Sequence, residues 1–196
     1  MSDPTYVRAF KTYLAEEPNR DDVAEMEREF YGESDRAVAV LQGAALDIAL
    51  ESAIRRSLRS DLTDEEANGL LGFDKPIGSF SAKIHMGYAL SLFGRKTRHD
   101  LEIIRPLRNA FAHERKPLRF SIPAISGMCT NLWLPDIATL VKYPRDMLET
   151  TNGKRSKPDM RDPRQRYLTS CYTIAATLFM ASLTNGRPTF PMATLP

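Results

Sequence analysis

The chain has 196 residues, of which 42% are hydrophobic and 27% charged, and its formal net charge is +2. This length and apolar content suffice for a sizeable core, which excludes a generally disordered chain and fits a single domain over residues 1–196. The small net charge gives no global field for wrapping nucleic acid, so any such binding has to be local.

The N-terminus, Met1–Pro4, lacks the basic start and apolar run of a signal peptide. Cys129 and Cys171 show no CxxC spacing, and we expect buried thiols in a reducing cytoplasm, with a disulfide as the alternative. Residues 167–186 are uncharged and approach the length of a membrane span. Their polar residues favour a helix buried in a bundle, and we expect no membrane contact.

Capping residues, glycines and prolines predict helices along the whole chain, in one all-α bundle of six to nine helices. Residues 1–32 form a predicted N-terminal helical arm. Ser34 or Asp35 then opens a long helix that reaches about Ser60. Its predicted buried stripe comprises Val38, Leu41, Ala45 and Ile48.

Charged residues form a ridge on the same long helix. Asp47, Glu51 and Arg55 follow one another at i, i+4 and i+8, which places them on one face. The two carboxylates are therefore candidates for binding a cation from another helix.

Two further helix starts are predicted from local signals. Thr63–Glu66 is a capping box before a short helix that ends at Gly69 or Gly72, and Ser79 or Ser81 caps the next helix.

A second predicted capping box, Thr97–Asp100, opens an amphipathic helix that runs to His113. Pro106 inside it removes one backbone hydrogen bond, so the helix either bends before Arg108 or consists of two pieces. The preceding turn, Gly94–Thr97, brings basic residues to the start of this helix and is a candidate phosphate contact.

The C-terminal third is predicted to be more broken. Ser121 caps a short helix that Trp133–Pro135 terminate, and residues 135–161 form a loop-rich connection. Residues 162–196 contain a last helix, which ends near Leu183, and a tail.

Basic residues accumulate in that connection. Between Thr150 and Arg166 six basic residues face two acidic ones. A solvated loop explains this excess, and phosphate contact is the alternative. The candidate nucleic-acid contacts are Lys154, Arg155, Lys157 and Arg161.

The most informative stretch is the end of the amphipathic helix. At 100° per residue, Glu102, Arg105, Asn109 and His113 share one polar stripe, and Arg108 lies at its border. A surface helix that ends in a histidine, with Glu102 and Arg105 as an ion pair, explains this pattern. The alternative is a functional site.

A wider pattern runs through about residues 33–134. It comprises Asp35–Ala37, Ala45–Ile48, Leu50, Glu51, Gly78–Ile84, Tyr88–Leu90, His99–Leu101, Ile104, Arg105 and Arg108–His113. This pattern resembles the mannitol operon repressor (MltR) family. The resemblance implies a helical, dimeric regulator of transcription that acts through a protein partner, itself a candidate transcription regulator.

A shorter pattern resembles another class. Arg108, Asn109 and His113 are similar to the Arg-x4-His signature of HEPN-type ribonucleases. That resemblance implies a metal-independent enzyme in which His113 is the general acid or base, Arg108 stabilises charge on the phosphate, and Asn109 orients either group.

Other chemistries are not favoured by the sequence. There is no GxxxxGK loop, and the three histidines do not have metal-ligand spacing, although His99 and Glu102 form an i, i+3 pair. We expect no metal and no cofactor.

Two functions thus remain: a repressor-like regulatory protein, which we favour, and a ribonuclease. Under the first, the protein is a homodimer that does not read bases directly, and Arg105 or Arg108 pairs with Asp47 or Glu51. Under the second, Arg108 and His113 share an open cleft.

Overall fold

A computed structural model describes residues 34–138, 149–151, 154–156 and 158–183, and from Asp35 onward they belong to one compact unit. The predicted arm over residues 1–32 and the tail after Leu183 lie outside the described residues. The elements are α1 (Asp35–Ser57), α2 (Asp64–Leu71), α3 (Phe80–Ala89), α4 (Arg95–His113), α5 (Pro123–Thr130), α6 (Leu134–Ala138), β1 (Glu149–Thr151), β2 (Lys154–Ser156) and α7 (Pro163–Leu183).

The predicted all-α bundle is confirmed. The described part of the chain has seven helices, and its strands form one antiparallel pair in which Glu149 is opposite Ser156. Helix α1 is central, since it packs against α3, α4 and α7. Aliphatic and aromatic side chains from all of these helices form one continuous core.

The predicted buried stripe of α1 is wrong in part. Val38 is buried, but Leu41 is 45% and Ile48 is 67% exposed, while Leu46 and Leu50 are buried instead. The reason is that residues 37–46 of α1 include only one polar side chain, Gln42, so periodicity alone does not select the inward face there.

Helix α1 is also the one helix among the described residues that is long and apolar enough to cross a membrane by length and composition. In its most apolar window 44% of the residues are buried inside the fold. A core helix of a globular domain has this character.

Two of the predicted caps are confirmed. The Thr63 hydroxyl accepts from the Glu66 N–H at 3.3 Å, while the Glu66 carboxylate accepts from the Thr63 N–H at 2.9 Å. Ser79 caps α3 by accepting from the Ala82 N–H at 3.1 Å. Both signals are local in sequence and therefore readable without the fold.

The capping box predicted at Thr97–Asp100 is wrong. Helix α4 begins earlier, at Arg95, with Gly94 as its N-cap, and both Thr97 and Asp100 are buried inside it. The helix also runs without interruption through Pro106, so the two-piece alternative is wrong as well.

Two expectations about the next segment also change. Helix α5 begins at Pro123 with Ile122 as its N-cap, whereas the sequence predicts Ser121 as the cap. Pro135 does not end a helix but lies at the second position of α6. Proline is tolerated in a first turn, because the N–H it lacks has no helical partner there.

Candidate functional site

The array at the end of α4 begins with Arg108, whose stem lies directly on α1. A Cβ atom placed on Gly43 would be 2.4 Å from Arg108 Cγ and 2.8 Å from its Cβ. Both separations are too short for real atoms, so the absence of a side chain at Gly43 is what lets α4 approach α1 here.

The guanidinium of Arg108 has a neighbour on its own helix. Its Nη1 donates to Asn109 Oδ1 at 3.0 Å. Its Nε is buried and has no hydrogen-bond partner among the described residues. The side chain is thus packed along its stem and only partly satisfied at its polar end.

Tyr167 of α7 lies within the electrostatic range of this arginine. Its side chain is fully buried, and its hydroxyl donates to the Ala39 carbonyl at 2.9 Å. Burial raises the pKa of Tyr167 well above the ordinary value for a phenol, and the positive charge of Arg108 acts in the opposite direction. The phenol therefore stays protonated and serves as a hydrogen-bond donor.

His113 is the last residue of α4, and it is exposed. Arg36, near the start of α1, fixes this helix end: its Nη1 donates to the Phe111 carbonyl, and its Nη2 donates to the carbonyls of Glu114 and Lys116, both at 2.9 Å. A guanidinium thus satisfies carbonyls that a helix C-terminus leaves without partners.

Asp35 anchors the segment that follows. Its carboxylate accepts from the Phe120 N–H at 2.9 Å and pairs with Arg164 of α7 at 3.2 Å. From the start of α1, Arg36 therefore holds the end of α4, and Asp35 holds the segment that follows it. The sequence predicts Asp35 as a helix start and indicates no contact for Arg36.

The acidic ridge of α1 binds a cation, but the predicted partner is wrong. Lys83 of α3 lies 2.9 Å from Asp47 Oδ1 and 2.8 Å from Glu51 Oε2, while Arg55 lies 3.6 Å from Glu51. No ion pair joins Arg108 to either carboxylate in the described part. The stem of Arg108 crosses α1 at Gly43 instead, one turn before Asp47.

Lys83 is the most buried member of this cluster, with only 7% of its side chain exposed. Burial lowers the pKa of Lys83, but the hydrogen bonds and charges of Glu51 and Asp47 outweigh it, so that the net effect is a raised pKa. The ammonium group therefore remains charged and neutralises the two carboxylates.

The predicted Glu102–Arg105 pair is also wrong. Glu102 pairs with Arg98 at 2.8 Å, one turn earlier on α4. No salt bridge of Arg105 is found within the described ranges. An i, i+4 separation was as good a candidate as i, i+3, and the rotamers decide between them.

Sequence reasoning missed two buried charges that organise residues 129–136. Asp100 of α4 is completely buried and accepts from the N–H groups of Trp133 at 2.8 Å and Leu134 at 3.0 Å, and from the Ser170 hydroxyl at 2.8 Å. The available signal was that Asp100 lies beside Leu101 on the apolar side of a strongly amphipathic helix.

The second buried charge is Arg166 of α7. Its guanidinium donates to the carbonyls of Leu132 at 2.7 Å and Cys129 at 2.9 Å, and it pairs with Asp136 at 2.7 Å. Together with Asp100, Arg166 fixes the backbone that links α5 to α6. Burial of charged groups requires such complete partnering.

One large aromatic side chain emerges from this fixed segment. Trp133 is 50% exposed; Lys96 Nζ lies 5.3 Å from its ring centroid, and the His99 ring meets it edge-on at 6.4 Å. Helix α4 also carries Arg98, whose guanidinium carbon lies 4.8 Å from the centroid of the Tyr88 ring of α3. We call Trp133, Lys96 and His99, with the exposed Arg95 one turn before His99, the Trp133 surface.

Of the four basic residues predicted to contact nucleic acid, the structure describes the side chain of Arg161. Lys157 and the side chains of Lys154 and Arg155 lie outside the described residues. Arg161 is solvent-exposed and pairs with Asp159 at 3.0 Å, which is the arrangement of a solvated loop.

The cysteines are buried and free, as expected. Burial raises the pKa of the Cys129 thiol to about 12 and that of Cys171 well above the ordinary value. Neither thiol is a nucleophile at neutral pH. Among the described residues, no three His, Cys, Asp or Glu side chains come together as a metal site.

No protein-family model and no curated protein matches this chain. Among solved structures, the chain is similar to a chain in the X-ray structure of the MtlR-HPr complex from Escherichia coli, with 20% sequence identity and a TM-score of 0.49. The match covers 82% of this chain and 95% of that chain. This likeness establishes neither a family nor a function here, and the resemblance to the mannitol operon repressor family stays a prediction.

Proposed function

We propose that this protein is a non-enzymatic regulatory protein, similar to an operon repressor, that acts through protein–protein contacts rather than by reading bases. The observation that carries the proposal is the packing of Arg108. Its stem fills the notch at Gly43, and its Nη1 is bound to Asn109 at 3.0 Å. An arginine held in this way contributes to the α1–α4 contact.

His113 lies in a different environment from Arg108. It ends α4 as an exposed residue, between the Phe111 and Glu114 carbonyls that Arg36 binds. A metal-independent ribonuclease needs a general acid or base and a phosphate-stabilising cation around one scissile bond. The packing of Arg108 favours a structural role that does not involve His113.

The surface of α1 supports contact with other protein chains. Leu41 and Ile48 lie on one exposed face of α1, with Ala44 and Ala45 between them. Large aliphatic side chains that are exposed together on one helix face are typical of a contact with another protein chain. We propose that the face packs against a second copy of the chain in a cytoplasmic homodimer.

The test compares RNA cleavage with stability. The parent, Arg108→Ala, Arg108→Met and His113→Ala are incubated with a structured RNA in the presence of a chelator. We expect no cleavage by any of them. Arg108→Ala should lower the melting temperature, whereas Arg108→Met, which keeps an unbranched apolar stem and removes the unpaired Nε, should lower it less.

Arg105→Ala is the matched control, since Arg105 lies on the same helix. Cleavage by the parent that disappears in Arg108→Met and in His113→Ala, but not in Arg105→Ala, would overturn the proposal. A general acid or base contributes about 10²-fold to 10⁴-fold to such a rate, so its loss is easily measured. The protein would then be the HEPN-type ribonuclease.

A further inference from the structure

We infer, on the basis of the proposed function, that the Trp133 surface docks an acidic segment of a protein partner. The first support is how firmly Trp133 is presented. Its N–H donates to the buried carboxylate of Asp100 at 2.8 Å, and the carbonyl before it accepts from the buried Arg166 at 2.7 Å. Two buried charged side chains of opposite sign thus fix the backbone at Trp133, whose side chain is half-exposed.

Such a tryptophan loses little conformational entropy on binding. Large aromatic side chains with few rotatable bonds dominate the energetics of protein interfaces, and tryptophan is among the most enriched. Here the indole is half-exposed, although the chain around it is fixed. It therefore offers a rigid apolar anchor to a partner.

The second support is the charge around the ring. Lys96 lies 5.3 Å from the ring centroid, and Arg95 and Lys96 precede His99 by four and three residues, which places all three on one side of α4. The first turn of α4 contains no acidic residue. Because a helix N-terminus favours negative charge, this basic cluster is unfavourable for the helix itself and complementary to an external carboxylate.

The extent of the charge favours an acidic peptide over a nucleic acid. The next turn of α4 carries Glu102, which pairs with Arg98, and Asp136 follows Trp133 with 62% of its side chain exposed. A polynucleotide needs a basic track along successive phosphates, and carboxylates at both edges of a short patch oppose it. One or two carboxylates beside an apolar residue fit the patch.

The tryptophan itself reports the binding, because it is the only one in the chain. The full chain is titrated with an acetylated and amidated hexapeptide of four glutamates and two leucines while the emission of Trp133 is recorded. We expect a saturable change in emission that weakens as salt is added, since exposed charges are screened. Lys96→Glu should weaken binding at least about tenfold, because it replaces attraction by repulsion.

The matched control is Lys75→Glu, which makes the same charge change at an exposed lysine of the α2–α3 connection. It should leave the affinity unchanged. Circular dichroism checks that both variants are folded. A parent that gives no saturable response, or a control that weakens binding as much as Lys96→Glu, would overturn the inference.

An oligouridylate of twelve nucleotides is the second probe, and tighter binding to it than to the peptide would also overturn the inference. The outcome is separable from that of the cleavage test. If the parent neither binds the peptide nor cleaves RNA, the docking role of the Trp133 surface is rejected and the proposed regulatory function is not. If the parent cleaves RNA and also binds the peptide, the proposed function is rejected and the docking role is not.

Discussion

Replacement of Gly43 by alanine tests the contact that locks Arg108. The new Cβ would meet Arg108 Cγ at 2.4 Å and Cβ at 2.8 Å. These atoms are at the root of the side chain, so a rotamer change does not remove both contacts, and α1 and α4 have to separate. Overpacking of this kind costs about 1–3 kcal/mol.

An opposing effect has to be subtracted. Alanine is a better helix former than glycine by about 0.5–1 kcal/mol. The steric cost exceeds this gain in helix propensity, and the free energy of unfolding should decrease by about 1–2 kcal/mol. For a chain of this size that corresponds to a decrease of roughly 2–8 °C in melting temperature.

Thermal and urea unfolding followed by circular dichroism measure the effect. Gly127→Ala is the control, because Gly127 lies in α5 and, apart from its own helical turn, no atom of the described residues lies within 4 Å of the new methyl group. That variant should become more stable by about 0.5–1 kcal/mol. The opposite signs of two Gly→Ala changes, both inside helices, isolate the contact with Arg108.

A double variant completes the test. In an Arg108→Ala background the contact with Cγ is gone and only that with Cβ remains, so Gly43→Ala should cost less than in the parent, by at least about 0.5 kcal/mol. If Gly43→Ala raises the melting temperature as Gly127→Ala does, or costs the same in both backgrounds, Arg108 does not lock the two helices.

Three further predictions concern the core and the exposed face of α1. Lys83→Met should lower the free energy of unfolding by about 1–2 kcal/mol, less than the loss of a fully buried ion pair, because Asp47 and Glu51 are partly exposed. Since the folded-state pKa of Lys83 is raised, its stabilising contribution is complete below the unfolded-state pKa and is lost as the pH rises through the folded-state pKa. Urea unfolding at a series of pH values measures this dependence. Cys129 and Cys171 should react with a thiol reagent at pH 8 only after denaturation, and rapid reaction of the native protein would contradict their burial. Ile48→Glu should convert a dimer to a monomer in light scattering, whereas Phe73→Glu, at a 99% exposed loop position, should not; an unchanged mass for Ile48→Glu argues against the α1 interface.

Local signals in the sequence predict local structure. The Thr63 capping box and the Ser79 cap each join residues three apart, and both are present. The start of the last helix is predicted within one residue, at Asp162 against the observed Pro163. Such signals depend on backbone groups close in sequence, and the rest of the fold changes them little.

Signals that need a partner from elsewhere in the chain give wrong predictions. The sequence matches the carboxylates of Asp47 and Glu51 to arginines of α4, but the cation that reaches them is Lys83 of α3. Asp100 has the sequence position of a capping-box acid and instead caps a helix start more than thirty positions away. Which charge meets which depends on helix packing, and periodicity along one helix does not contain that information.

The inward face of α1 illustrates a second limit. Where a helix has a polar side, the pattern identifies its buried side, as it does for α4 with Leu101, Ile104, Leu107 and Phe111. Residues 37–46 of α1 lack such a side, so Leu41 and Leu46 are equivalent in sequence and only packing separates them.

Two segments that carry the family resemblance, Asp35–Glu51 and His99–His113, contact each other in the fold. Arg36, from the first segment, binds carbonyls at the end of the second, 75 or more residues later, and Arg108 of the second lies in the notch that Gly43 leaves in α1. Such residues are constrained together by the α1–α4 contact, whatever the protein binds. Their pattern therefore carries information about the fold, and the surfaces on which to seek the partner are those that the core does not need: the outer face of α1 and the half-exposed ring of Trp133.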